Sequence, residues 1–119
     1  MRTTHLLENP EFHDGHPYAQ PLYEADDGRI IRFMLKPGQT ITEHDAPTSP
    51  FYVVVLQGHG QFAGPDGVEK TFGPNDLLVF DAGEKHSVRA LDEEFIFVGF
   101  LRGVKGARPE KTGGLLGDY

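Results

Sequence analysis

Turn-forming residues interrupt this chain so often that no long helix fits between them. Pro37-Gly38, Gly58-His59-Gly60, Gly64-Pro65-Asp66-Gly67 and Gly73-Pro74-Asn75-Asp76 each separate short apolar runs. Gly and Pro at such places set backbone angles that a helix interior does not accept. No window of helical length carries an apolar stripe at helical spacing. The apolar runs read instead as strands at 22–25, 29–35, 40–45, 51–56, 61–63, 68–72, 77–80, 87–91 and 95–101. Asp26-Asp27-Gly28 between the first two is a hairpin signal. Phe51 to Leu56 is apolar on both faces and reads as a central strand. Strands cut by turns about every 8–12 residues suit an all-β sandwich or closed barrel.

At 119 residues the chain has the length of one domain. Its organisation reads as a polar arm over 1–20, a β domain over 21–102 and a Gly-rich tail over 103–119. Without Cys there is no disulfide, no thiolate metal site and no cysteine nucleophile. Acidic residues exceed basic ones by 18 to 11, and no Lys/Arg cluster longer than a dipeptide occurs. A nucleic-acid partner or an anionic membrane surface needs a concentrated basic face, so neither is expected. The longest apolar runs are too short to cross a bilayer as helices, and the first twenty residues lack a signal-peptide core. A cytoplasmic location is the expectation.

Several chemistry-bearing residues read as plain structure. His13 and His16 lie on the arm, His59 on a tight turn, and Glu93-Glu94 at a hairpin tip. His86 and Ser87 are neighbours on a strand and point to opposite faces, so they form no dyad. No nucleophile-elbow, zinc-protease or phosphate-loop pattern occurs.

Residues 29–101 carry a resemblance with more content. Gly38 is followed by His44, Ala46, Phe51 and Gly58 at one characteristic spacing, and Asn75, Asp81, Gly83, His86 and Ala90 follow at another. The pattern resembles the two motifs of the cupin superfamily. The resemblance implies a single-domain β-barrel of the double-stranded β-helix, or jelly-roll, type. Gly38, His44, Gly58, Gly83 and His86 agree in identity. In metal-binding relatives two His and one Glu of the first motif, with one His of the second, hold the metal. Carried over, those positions are His44, Ala46, Phe51 and His86.

The resemblance therefore implies a depleted metal site of His44 and His86, for iron, nickel, zinc or manganese. Three or four protein ligands are the usual requirement. Asp81, five residues before His86, is the carboxylate that could bend in. Strand alternation places Thr40 and Thr42 on the same face as His44, and Val53 and Val55 on the same face as Phe51. Phe51, in the slot of the missing Glu, is expected beside His44, where its ring would exclude water and lower the imidazole pKa. The candidate ligand-binding set is thus His44, Thr42, Phe51, Val53 and His86. Two functions are open to it: a small-molecule-binding module, or a metal-dependent enzyme of dioxygenase or isomerase class using His44 and His86. A metal-free acid–base enzyme needs a second acid, and Tyr52 faces the other side. Relatives of this kind are frequently homodimers, which is the expectation here. Leu115, Leu116 and Tyr119 are the tail residues that could clip onto a neighbouring chain.

Overall fold

The computed structural model describes residues 1–44 and 49–103, the side chains of Glu43 and His44 excepted. The tail residues Leu115, Leu116 and Tyr119 lie outside the described residues. Nine strands are present among those described: β1 (Tyr18–Ala25), β2 (Gly28–Leu35), β3 (Thr40–His44), β4 (Phe51–Gln57), β5 (Gly60–Ala63), β6 (Glu69–Phe72), β7 (Leu77–Phe80), β8 (His86–Ala90) and β9 (Phe95–Arg102). They form a five-stranded sheet in the order β1-β2-β9-β4-β7 and a four-stranded sheet in the order β3-β8-β5-β6. All pairings are antiparallel. This is the jelly roll that the resemblance implies, and its all-β class is the one the turn spacing predicts.

The two-residue Asp26-Asp27 turn joins β1 and β2, with Ala25 opposite Gly28. Gly58, at φ +76°, turns β4 into β5, and a Cβ there would sit 2.2 Å from the Glu94 carbonyl oxygen. Only glycine combines that backbone angle with that approach. Between the sheets the core is strongly aromatic. Phe33 stacks on Phe97 at 4.6 Å, and Phe62 meets Phe97 edge-on at 5.3 Å. Phe51, Val53 and Val55 all face this interior at 1% exposure or less, as their alternation requires.

The first twenty residues, expected as a polar arm, include the start of a strand. Tyr18 to Gln20 already belong to β1, and the preceding segment docks on the outer face of the five-stranded sheet. The anchor is Arg32 of β2, only 4% exposed. Its guanidinium donates to the carbonyls of Leu6 and Glu8 at 3.0 Å, and through two nitrogens to Gln20 Oε1 at 2.9 and 2.6 Å. The Glu11 amide donates to Met34 Sδ, Gln39 Nε2 donates to the His13 carbonyl, and Lys36 pairs with Asp14. His13 stacks on Tyr18 and contacts Glu11, so it serves the arm's packing.

A buried guanidinium bonded this way is costly to truncate, because its acceptors lose their donors. Arg32→Ala should lower stability by about 3 kcal/mol in urea unfolding. It should also expose Glu8 and Glu11 to Glu-specific protease in the still-folded protein. Unchanged protection of those two sites would show that the arm is held by other contacts.

Candidate functional site

The candidate site lies where the start of β4, the end of β7 and the start of β8 converge. Phe51 and Phe80 are direct cross-strand partners on β4 and β7. His86 opens β8 in the opposite sheet and is 2% exposed. Its imidazole stacks on Phe51 at 5.0 Å and 20°, and on Phe80 at 4.8 Å and 27°. The Phe51 and Phe80 rings are themselves 6.4 Å apart.

The turn before β8 orients the imidazole. His86 Nδ1 lies 3.1 Å from the Glu84 carbonyl oxygen. A carbonyl only accepts, so Nδ1 carries the proton, and in the neutral ring Nε2 holds the lone pair. Glu84 is fixed in turn. Its amide donates to the Asp81 carbonyl at 3.0 Å, and its Oε1 accepts from the Asp81 amide at 2.7 Å. Gly83, at φ +85°, occupies the third position of this turn, where a left-handed angle is required. Asp81 itself is exposed, so it does not supply the missing carboxylate.

Phe51 reaches its place because β9 is bare beneath it. A Cβ on Gly99 would come within 2.5 Å of Phe51 Cε1 and 3.1 Å of Phe33 Cε2. Glycine inside a strand here serves close approach, not a turn.

The register places His44 opposite His86 on β3 and β8. The expected contact between Phe51 and the His44 side chain lies outside the described residues. The position of Thr42 corrects the alternation argument. Thr40 and Thr42 are exposed, while Ile41 is buried opposite Val88. An irregularity between Ile41 and His44 inserts one extra residue on β3, which breaks the two-residue period counted back from His44. Thr42 therefore leaves the candidate set. Val53 stays in the interior, opposite Gly99 and Leu78. His59 is exposed and pairs with Glu93 at 2.8 Å. Spacing alone did not single out Phe80. Only the β4–β7 register brings it to Phe51 and His86.

Fold and site together define a small jelly-roll barrel in which Phe51 and His86, one position from each motif, meet at one end. A family model described as a cupin domain matches residues 31–98, and the chain belongs to the cupin family. A Klebsiella pneumoniae protein with a double-stranded β-helix domain superposes with a TM-score of 0.80 at 22% identity, covering 86% of this chain and 90% of its own. An RmlC-like cupin protein from Desulfovibrio desulfuricans gives 0.78 at 26% identity, covering 87% and 99%. TT1209 from Thermus thermophilus gives 0.81 at 17% identity, covering 87% and 98%. No curated protein matches the sequence.

The family's metal set can be tested against the side chains at its positions. Ala46 and Phe51 offer no donor atom, and the Phe51 ring lies face-on against His86. Among the described residues no three His, Asp or Glu side chains gather as a ligand group. The four-ligand set does not fit this chain.

Gly99→Ala is a direct test of how Phe51 is positioned. The added methyl must push the Phe51 ring off its seat, and overpacking of this kind costs roughly 1–3 kcal/mol. Chemical denaturation should register the loss, and the His86 ring proton shifts should move as the stack is disturbed. Unaltered His86 shifts in a destabilised variant would show that Gly99 does not set the Phe51–His86 contact.

Proposed function

We propose that this cupin is a small-molecule-binding module, holding its ligand without a metal and without turnover at the barrel end formed by Phe51, Val53, Phe80 and His86. The observation that carries this reading is the Phe51 ring stacked on His86, at the position where the family's carboxylate ligand stands. That exchange replaces an anionic donor with an apolar wall. The oriented imidazole then supplies one specific polar group beside two aromatic faces, a usual division of labour in ligand sites. A second acid for metal-free catalysis is not supplied by Tyr52, which pairs with Val79 and Phe100 on the outer face. The rival reading, a metal-dependent enzyme using His44 and His86, is favoured by the register that sets those two residues opposite each other.

Elemental analysis of protein purified without an affinity tag, beside His44→Ala and His86→Ala, separates the two. Binding without metal predicts iron, nickel, zinc and manganese far below one per chain in all three proteins. Near-stoichiometric metal, lost in both variants, would overturn the proposal in favour of the metalloenzyme. A fragment screen by NMR should then find compounds that shift the His86 ring resonances in the wild type and lose affinity in His86→Ala.

The same proposal includes a homodimer. Leu77, Val79 and Phe100 are exposed at 66, 51 and 36%, and all three lie on the outer face of the five-stranded sheet. Tyr52 joins Val79 to Phe100 in one cross-strand row. A contiguous apolar face of this sort favours a second copy, which a two-fold axis would cover with the same patch. Val79→Glu should convert a dimer to a monomer in size-exclusion chromatography with light scattering. A wild type that is already monomeric at high concentration would refute the assembly.

A further inference from the structure

The chain carries three Asp-Gly pairs, Asp14-Gly15, Asp27-Gly28 and Asp66-Gly67. In such a pair the backbone nitrogen of glycine can attack the aspartate's own side-chain carboxyl, because glycine has no Cβ to shield that nitrogen. The fold restrains the three pairs very differently.

Two of them are clamped. Gly28 stands in β2 opposite Ala25 and Arg102, and a Cβ on it would come within 2.9 Å of the Leu101 carbonyl oxygen. The Asp27 carbonyl accepts from the Gly103 amide at 2.8 Å. At Asp66-Gly67 both reacting groups are engaged elsewhere. The Gly67 amide donates to the Gly64 carbonyl at 3.0 Å, and Asp66 Oδ1 accepts from the Val68 amide at 3.0 Å. Ring closure at either pair must first break strand pairing or a turn.

Asp14-Gly15 lacks those restraints. It lies in a bend just before β1. The Asp14 side chain is 92% exposed, and Gly15, at φ +86°, has nothing within 4 Å of where a Cβ would stand. Among the described residues the Gly15 amide has no hydrogen-bond acceptor. The Asp14 carboxylate is paired with the Lys36 ammonium. While that pair holds, the hydrogen bond and charge of Lys36 keep the Asp14 carboxyl below its ordinary pKa, in the ionised form that resists attack. An exposed pair of this kind opens readily in water.

We propose that Asp14 is a site of spontaneous isomerisation, and that its isoaspartyl form frees the middle of the N-terminal arm from the barrel. The Gly15 nitrogen attacks Cγ of the neutral Asp14 carboxyl. The nitrogen gives up its proton and the carboxyl its hydroxyl, so one water leaves and a cyclic succinimide forms. Water then adds back. Cleavage between the nitrogen and the former main-chain carbonyl leaves the chain running through Asp14 Cβ and Cγ, with that carbonyl now a free carboxylate. One water leaves and one returns, so no oxidant or other reactant is needed. The main chain is longer by one carbon and its charge is displaced. This happens between the His13 carbonyl, which accepts from Gln39 Nε2 at 2.7 Å, and the start of β1 at Tyr18. The Lys36 pair and the Gln39 bond then no longer fit together, whereas the Arg32 contacts to the Leu6 and Glu8 carbonyls lie upstream and persist. The proposal is independent of what the barrel end binds.

The test incubates the folded full chain for weeks in warm, mildly acidic buffer, beside a chain unfolded in guanidinium. Electron-transfer fragmentation in the mass spectrometer then locates isoaspartate. In the folded chain it should accumulate at Asp14 well ahead of Asp27 and Asp66, and in the unfolded chain at all three. Lys36→Met should speed the Asp14 reaction several-fold, and Gly15→Ala should suppress it. Glu-specific protease should cut the isomerised wild type at Glu11 faster than the fresh protein. Absence of isoaspartate at Asp14 while the unfolded chain forms it would overturn the proposal, as would equal accumulation at all three sites of the folded chain. Isoaspartate at Asp14 with unchanged cleavage at Glu11 would overturn the release of the arm.

Discussion

The first four residues of β9 have no face toward water, and much of the architecture answers that constraint. Phe95, Ile96, Phe97 and Val98 are all at 1% exposure or below. Phe95 and Phe97 point into the core, while Ile96 and Val98 point to the opposite face of the same sheet. A jelly roll of two sheets covers only the inner face. The outer face over β2 and β9 needs a third layer, and the N-terminal arm supplies it. Arg32, partner of Val98, stands on this covered face, where an unmet charge would be expensive. The carbonyls of Leu6 and Glu8 and the amide of Gln20 meet it. The cation therefore fixes the path of the chain that covers the sheet. Farther along that outer face Leu77 and Val79 of β7 stay exposed, with Phe100 of β9 beside them across Tyr52.

The same sheet builds the site. Gly99, two residues beyond Phe97 on the inner face of β9, leaves room for the Phe51 ring. The β4–β7 register then brings Phe80 beside it, and His86 from the other sheet lies against both rings. In the cupin frame this end of the barrel is where ligands to a metal converge. Replacing two of those positions by Ala46 and Phe51 removes donors and adds an aromatic wall. The surviving His86 keeps a fixed tautomer through the Glu84 carbonyl, and a defined hydrogen-bonding edge is as useful for holding an organic ligand as for holding an ion.

Most of the strand plan was legible because its signals are local. Apolar runs and Gly-Pro punctuation mark the nine strands, and the Asp26-Asp27 hairpin fell between the first two runs, although Gly28 opens β2 without the positive φ of a turn glycine. The inward set of Phe51, Val53 and Val55 followed from period two alone. The failures have non-local causes. One extra residue between Ile41 and His44 turned Thr40 and Thr42 outward, and nothing in Thr40 to His44 signals that bulge. The arm looked unstructured because its partner, Arg32, lies 26 residues from Leu6. Phe80 acquires meaning only through its pairing with Phe51, which spacing does not reveal.

The charge balance adds a last constraint on what such a molecule can hold. A formal net charge of −7 repels anions at a distance, yet that field is screened beyond roughly 8 Å at physiological salt. Selection among ligands therefore falls to contacts inside that range. Under the binding reading proposed for the barrel end, those contacts would be two aromatic faces and one imidazole, able to discriminate by shape and by a single hydrogen bond. Phe80 packs against both Phe51 and His86. A close-packed interior transmits displacement instead of absorbing it. A displaced Phe80 ring would therefore press on His86, and through it on Phe51.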